Sequence, residues 1–249
     1  MCYGDDARPP APPSRGPVRD HGELILTSAD GTQFGAYHAH PAGAAARSVV
    51  ILPDVRGLHT FYKELTRRFA EAGIHAVAID YFGRTAGIGS RDEDFSYREH
   101  VDQTTPAKVA EDVGAAVAWL RQQPGVASVF TVGFCFGGTQ SWAQSAAGHD
   151  LAGCIGFYGK PAGVADLIPL MRSPLLMLAP GEDVTPVEAV EGFAAQARTA
   201  GVSVDVEVFP GMPHSFFDRS FGEHRDACDR AWQVVLSFCE RESARPGVD

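Results

Sequence analysis

Hydrophobic positions along this chain switch period repeatedly, from short β-branched blocks to stripes spaced three and four residues apart. Residues 48–52, 74–79, 128–132, 153–157, 174–178 and 202–209 are blocks of the first kind and predict buried strands. Between them, Phe61, Leu65 and Phe69 at i, i+4 and i+8 predict a helix over 60–72 that stops at Gly73. Val109, Val113, Val117 and Leu120 predict a second helix, opened by Thr105 as N-cap and Pro106 as first helical residue. Thr185-Pro186-Val187-Glu188 reads as a capping box for a third, running to about residue 199. Cys228, Trp232, Val235 and Cys239 stripe a last helix over roughly 223–240. A hairpin of 24–27 with 32–38, turning at Ala29-Asp30-Gly31, comes first. Strands alternating with helices across short connections imply an α/β fold, with a mostly parallel central sheet and helices on both faces.

Two stretches lack a period. Residues 1–20 contain Pro9, Pro10, Pro12, Pro13 and Pro17 with little apolar content, and read as a disordered or loosely attached tail. Residues 21–249 then form a single domain. The polar run 81–104 is long for a connection inside a compact domain, which predicts a lid or pocket wall.

Composition narrows the function classes. A chain of 249 residues can bury a full core. No apolar stretch approaches bilayer length and the N-terminus lacks a signal-peptide core, so no membrane partner is expected. Five cysteines without framework spacing argue for a reducing compartment, hence a cytoplasmic protein. A formal charge of −10 with no basic stripe argues against nucleic acid.

The chemistry concentrates at Gly133-Phe134-Cys135-Phe136-Gly137-Gly138. A β-branched strand precedes it and a small-residue, helix-compatible run over 139–147 follows. Strand, Gly-x-Cys-x-Gly, helix is the pattern of a nucleophile elbow carrying a thiol. So sharp a turn needs glycine neighbours, because a Cβ would collide across it. The helix start behind the elbow favours thiolate over thiol. Most cysteines are inert core fillers, and Cys2, Cys154, Cys228 and Cys239 read that way. A dinucleotide fingerprint has different glycine spacing and follows the first strand.

A thiol nucleophile needs a base, and the base an orienting group. Asp183 lies just past the strand over 174–178 and His214 just past the strand over 202–209, in the order nucleophile, acid, histidine. Both fall at the carboxyl edge of the sheet, where open α/β folds place their sites. Glu182 is a competing carboxylate, with Gly181 and loop position favouring Asp183. His38 and His40 share one strand face and could hold a metal, yet two ligands without a third are more often surface residues. No metal or cofactor is expected.

Gly-x-Cys-x-Gly, then the aspartate, then His214-Ser215-Phe216, resembles the dienelactone hydrolase family, cysteine-dependent members of the α/β-hydrolase fold. The resemblance runs from about 49 to 217 and includes Pro53-Asp54-Val55-Arg56-Gly57 and Asp80-Tyr81-Phe82-Gly83-Arg84. It implies that Cys135 attacks an ester or lactone carbonyl, His214 shuttles the proton and Asp183 holds the imidazole. Backbone N–H groups of Phe136 and Val55 would form the oxyanion hole. Asp54 would pair with the resting thiol, Arg84 would bind a substrate carboxylate, and Tyr158 would line the pocket. Asp54 is one methylene shorter than the family's glutamate. Asp218 stands where the family's second substrate-binding arginine belongs, with Arg219 one place later. An aspartate there repels an anion, which argues against dienelactone itself while leaving the hydrolytic machinery intact.

The reading is therefore a hydrolase opening an ester or lactone, anionic or neutral, through a thioester on Cys135, as a monomer or homodimer. Two rivals use the same residues. One cleaves a thioester or carbon–halogen bond, or rearranges a lactone. The other is a non-catalytic ligand-binding protein or redox sensor with Cys135 as an exposed thiol.

Overall fold

The computed structural model describes residues 7–218 and 221–244. Eight strands form one sheet in the order β1-β2-β4-β3-β5-β6-β7-β8. β1 (Val18–Thr27) and β2 (Gln33–Pro41) are an antiparallel hairpin, and β2 pairs antiparallel with β4 (His75–Ile79). From β4 onward β3 (Arg47–Leu52), β5 (Ser128–Phe134), β6 (Gly153–Phe157), β7 (Leu175–Glu182) and β8 (Val204–Pro213) run parallel.

The central strands are buried on both faces because alternate side chains serve two separate cores. In β3, Val49 and Ile51 face one core while Val50 and Leu52 face the other. The first core is closed by α1 (Thr60–Glu71) through Phe61, Leu65 and Phe69, and by α7 (Arg225–Ser243) through Trp232, Val235 and Phe238. The second is closed by α4 (Pro106–Arg121) and α6 (Val187–Thr199). Each such side chain contributes about 2 kcal/mol on burial, so the predicted stripes are what fasten these helices to the sheet.

Several boundaries differ from the sequence reading, each for a local reason. Residues 9, 10 and 12 of the proline-rich stretch are buried, and Trp232 Nε1 donates to the Pro10 carbonyl at 3.2 Å. Proline loses little entropy on ordering, so a short run can pack against α7 without secondary structure. Residues 1–6 lie outside the described residues. The polar run after β4 contains two short helices, α2 (Gly83–Ala86) and α3 (Arg98–Gln103). Pro186, and not Thr185, caps α6, and no side chain bonds that cap, so the predicted capping box does not form. The cap of α4 is as expected: the Thr105 hydroxyl accepts from Lys108 N–H. No helix among the described residues is long and apolar enough to cross a membrane.

His38 and His40 point towards α4, where both rings lie 5.5 Å from the ring of Trp119. His40 is buried and its Nδ1 shares a hydrogen bond of 2.7 Å with His75 Nδ1. Burial, then the neighbouring His75 and His38, push His40 down to about 4 from 6.5. The unfolded chain therefore binds a proton there that the folded one refuses, and stability is lost as pH falls from about 6.5 towards 4. Denaturant titrations across that range should show this loss, and a His40→Phe variant should flatten it; an unchanged pH profile in the variant would contradict the assignment.

Candidate active site

The elbow follows β5 directly. Cys135 has φ 54 and ψ −112, a sparsely populated conformation costing about 1–3 kcal/mol that its surroundings must hold. Its N–H donates to Phe157 O at 3.0 Å, and its carbonyl accepts from Thr139 N–H at 3.2 Å. The glycines are required by contact distances. A Cβ on Gly133 would lie 1.9 Å from Gly137 O, and one on Gly137 would lie 2.1 and 2.2 Å from the carbonyl oxygens of Leu52 and Pro53. The helix α5 (Phe136–Ala143) begins three residues before the predicted run, immediately after the sulfur. Its first N–H groups have no intrahelical acceptor. Cys135 is half-buried, whereas Cys154, Cys228 and Cys239 are buried, and burial pushes each of those three thiols up to about 12.

Asp183 and His214 meet because β7 and β8 run further than their hydrophobic blocks suggest. Glu182 pairs with Pro213 as the last rung, so the next residue of each strand leaves the sheet side by side. An irregularity between Pro180 and Glu182 sets this register. It depends on Gly181, where a Cβ would sit 2.9 Å from Pro210 Cα. His214 Nδ1 bonds Asp183 Oδ2 at 2.8 Å, and the Asp183 side chain is 3% exposed. Glu182, the competing carboxylate, is exposed. The imidazole also bonds the side chain of Cys135. Burial opposes its charge, but the bonds to Asp183 and Cys135 outweigh that and push His214 up from 6.5 to about 10.

Three further side chains close the site. Tyr158, at φ 40, lays its ring 4.9 Å from that of His214 and donates its hydroxyl to buried Asp218 Oδ2 at 3.0 Å. Asp218 therefore serves a tyrosine. Asp54 is buried at the β3 exit, where Oδ1 accepts from Arg56 N–H at 2.9 Å. Tyr81 was not evident from sequence. Its hydroxyl donates to the carbonyls of Pro53 and Asp54 at 2.5 Å, and its ring lies 5.5 Å from that of Phe136. Tyr81 and Tyr158 are both pushed up by burial first, and both also feel the negative charge of Asp54 and of Cys135. Cys135, His214, Asp183, Tyr158 and Asp54 thus lie together, and the carbonyls of Leu52 and Pro53 at the β3 exit crowd Gly137 in the first turn of α5.

Arg84 does not join them. Its guanidinium is bound by Asp30 at 2.5 Å, Glu111 at 2.9 Å and Asp112 at 2.9 Å, with Ser28 bonded to Asp112 behind. Three carboxylates leave it no capacity for a substrate anion, which corrects the role that the resemblance implies. Arg219 lies outside the described residues.

Comparison with known proteins agrees with this geometry. A Salmonella typhi protein provisionally named as a carboxymethylenebutenolidase is 25% identical over 232 residues, covering 87% of this chain and 86% of its own. The carboxymethylenebutenolidase of Pseudomonas putida is 31% identical over 142 residues, or 55% of this chain and 60% of that one. A Klebsiella pneumoniae structure, provisionally described as a dienelactone hydrolase, superposes with a TM-score of 0.76 at 24% identity, covering 89% and 99% of the two chains. The model of the dienelactone hydrolase family matches residues 34–243. With an elbow, sheet order and strand exits of the α/β-hydrolase fold, this chain belongs to the dienelactone hydrolase family of hydrolases.

Proposed function

We propose that the protein hydrolyses a neutral ester or lactone through a thioester on Cys135. The observation that carries the reading is the continuous contact Cys135–His214–Asp183 on a strained elbow at the sheet edge.

In this reading His214 rests protonated and hydrogen-bonded to the Cys135 sulfur that attacks. The sulfur attacks the carbonyl carbon and the carbonyl π pair moves to oxygen. The Phe136 and Val55 N–H groups hold that oxyanion, each donor being worth about 3 kcal/mol. Collapse breaks the carbon–oxygen bond, and His214 gives its proton to the departing alkoxide. A lactone's alkoxide stays tethered as a hydroxy acid. Water, deprotonated by His214, then cleaves the thioester and returns the thiolate. Asp183 keeps Nδ1 occupied so that the other ring nitrogen faces the sulfur. Asp54 and Tyr158 would flank the substrate, and a neutral one suits a site where Arg84, one of the two candidate anion-binding arginines, is already saturated.

The test is turnover of aryl esters and small lactones across pH. kcat/KM is expected to hold through mildly alkaline pH and fall as pH rises through about 10, where His214 loses the proton it must donate. The stability that this protonation contributes is full below about 6.5 and fades as pH rises from there to about 10, since the folded value exceeds the unfolded one. Absence of turnover on every ester and lactone would refute the reaction. A profile rising through about 6.5 would refute the protonated resting form of His214.

A further inference from the structure

We infer that Asp218 and Tyr158 form a second brace for His214, so that Asp183 at Nδ1 and the tyrosine ring together hold the imidazole at Cys135. The inference rests on the hydrolase reading above and adds two positioning residues to it.

His214 has the longest reach of the three. Cys135 follows β5, Tyr158 β6, Asp183 β7 and His214 β8, and these strands are neighbours in that order. Three strand spacings separate β5 from β8, roughly 14 Å. The imidazole therefore leans across the exits of β6 and β7 to meet the sulfur. Asp183 holds it at Nδ1, and the His214 side chain is 34% exposed, so that bond alone would act as a pivot. Tyr158 stands on the strand next to the sulfur's own. Phe134 pairs with Phe157, so Cys135 and Tyr158 leave the sheet on the same rung, and the tyrosine ring lies 4.9 Å from the imidazole.

Tyr158 is fixed to the nucleophile's side of the site. Its φ of 40 is a left-handed conformation that tyrosine rarely adopts, so its surroundings must hold it. Its N–H donates to Leu178 O at 2.9 Å. A Cβ on the next residue, Gly159, would lie 2.8 Å from Thr139 N in α5, and Lys160 N–H donates to Thr139 Oγ1 at 2.7 Å.

Asp218 is fixed to the histidine's side. Its N–H donates to Ser215 O at 3.2 Å, closing a turn directly behind His214 in which Ser215 has φ 63. The hydrogen bond from the Tyr158 hydroxyl to Asp218 Oδ2, at 3.0 Å, thus ties the loop carrying His214 to the loop anchored on α5. Both residues are buried. Packing alone would be met by two hydrocarbon side chains, without the cost of desolvating a carboxylate. The polar bond instead sets where the ring stands. Tyr158 keeps its proton for that bond, because burial, followed by the Asp218 carboxylate, pushes its hydroxyl up.

The experiment compares the full chain with Tyr158→Phe, Asp218→Ala, Asp218→Asn and the Tyr158→Phe/Asp218→Ala double variant on p-nitrophenyl acetate. Tyr158→Phe and Asp218→Ala are each expected to lower kcat about 10- to 100-fold while KM stays within about threefold, as a misplaced catalytic group does. The double variant should be no worse than Asp218→Ala, since one bond is lost in all three. Asp218→Asn, whose carboxamide still accepts from the tyrosine, should recover most of kcat. Bonds to Asp183 and Cys135 raise His214 to about 10, and Tyr158, itself facing Asp218, Cys135 and Asp54, packs against it. An imidazole that drifts from these partners titrates nearer 6.5. The alkaline limb of kcat/KM and the NMR titration of the His214 ring should therefore both fall by about one pH unit or more in Asp218→Ala. Tyr158→Phe keeps the ring and carries the same expectation should thermal melts show that Asp218→Ala does not fold. Unchanged kcat, losses confined to KM, additive losses in the double variant, or a lower melting temperature with the His214 titration unmoved each overturn the brace. A wild type that turns over no ester or lactone removes the hydrolase reading alone, and the NMR titration then decides the brace by itself.

Discussion

Gly133→Ala is expected to yield no folded protein. The added methyl group would stand 1.9 Å from Gly137 O and 2.8 Å from Gly138 N, all backbone, with no side chain able to move aside. Relief would require pulling α5 off β5, which also lifts Gly137 from its contacts with the Leu52 and Pro53 carbonyls. A cost above about 4 kcal/mol belongs to the exceptional range for one substitution, and total stabilities run only about 5–15 kcal/mol. Gly192→Ala is the matched control. It lies inside α6 with nothing within 4 Å of the new Cβ, and should gain about 0.5–1 kcal/mol. Soluble yield and thermal melts of the two variants decide the matter. Comparable melting of both would mean that the elbow tolerates a side chain and is not the tight turn described.

That contrast also marks what a sequence can disclose. Gly133, Gly137 and Gly138 are legible because a strained turn demands glycine wherever it occurs, so local wording is enough. The helix stripes of α1, α4 and α7 are legible for the same reason: a 3.6 period needs only near neighbours. Asp183 and His214 could be singled out by order, but their meeting depends on the Glu182–Pro213 rung, a pairing between strands 31 residues apart. The hydrophobic blocks stop short of that rung because its residues are polar, proline or glycine.

Arg84 shows the opposite limit. Position after a strand matched the family's carboxylate-binding arginine, yet Asp30, Glu111 and Asp112 converge on it from 54, 27 and 28 residues away. No local pattern announces three distant carboxylates. The Tyr158–Asp218 and Asp80–Arg91 pairs escaped notice for a related reason, since a charged residue in a polar loop reads as solvated until its partner is known. The stretch over 81–104 has no period because it is fastened by single side chains, such as Arg91, and not by a face.

Cys135→Ala is the second large effect. Removing the sulfur leaves the elbow, oxyanion donors and binding surface in place, so the fold should be retained while kcat/KM on the best ester falls roughly 10⁴-fold or more. Retained activity would mean that His214 activates water directly. The buried cysteines Cys154, Cys228 and Cys239 should not substitute, since burial keeps them protonated and out of reach.

Intact-mass and peptide mapping of protein quenched in acid during p-nitrophenyl acetate turnover tests the central claim most directly. The account predicts an acetyl group on Cys135, absent in Cys135→Ala. Steady turnover with Cys135 unmodified and the acetyl group on another residue would contradict it.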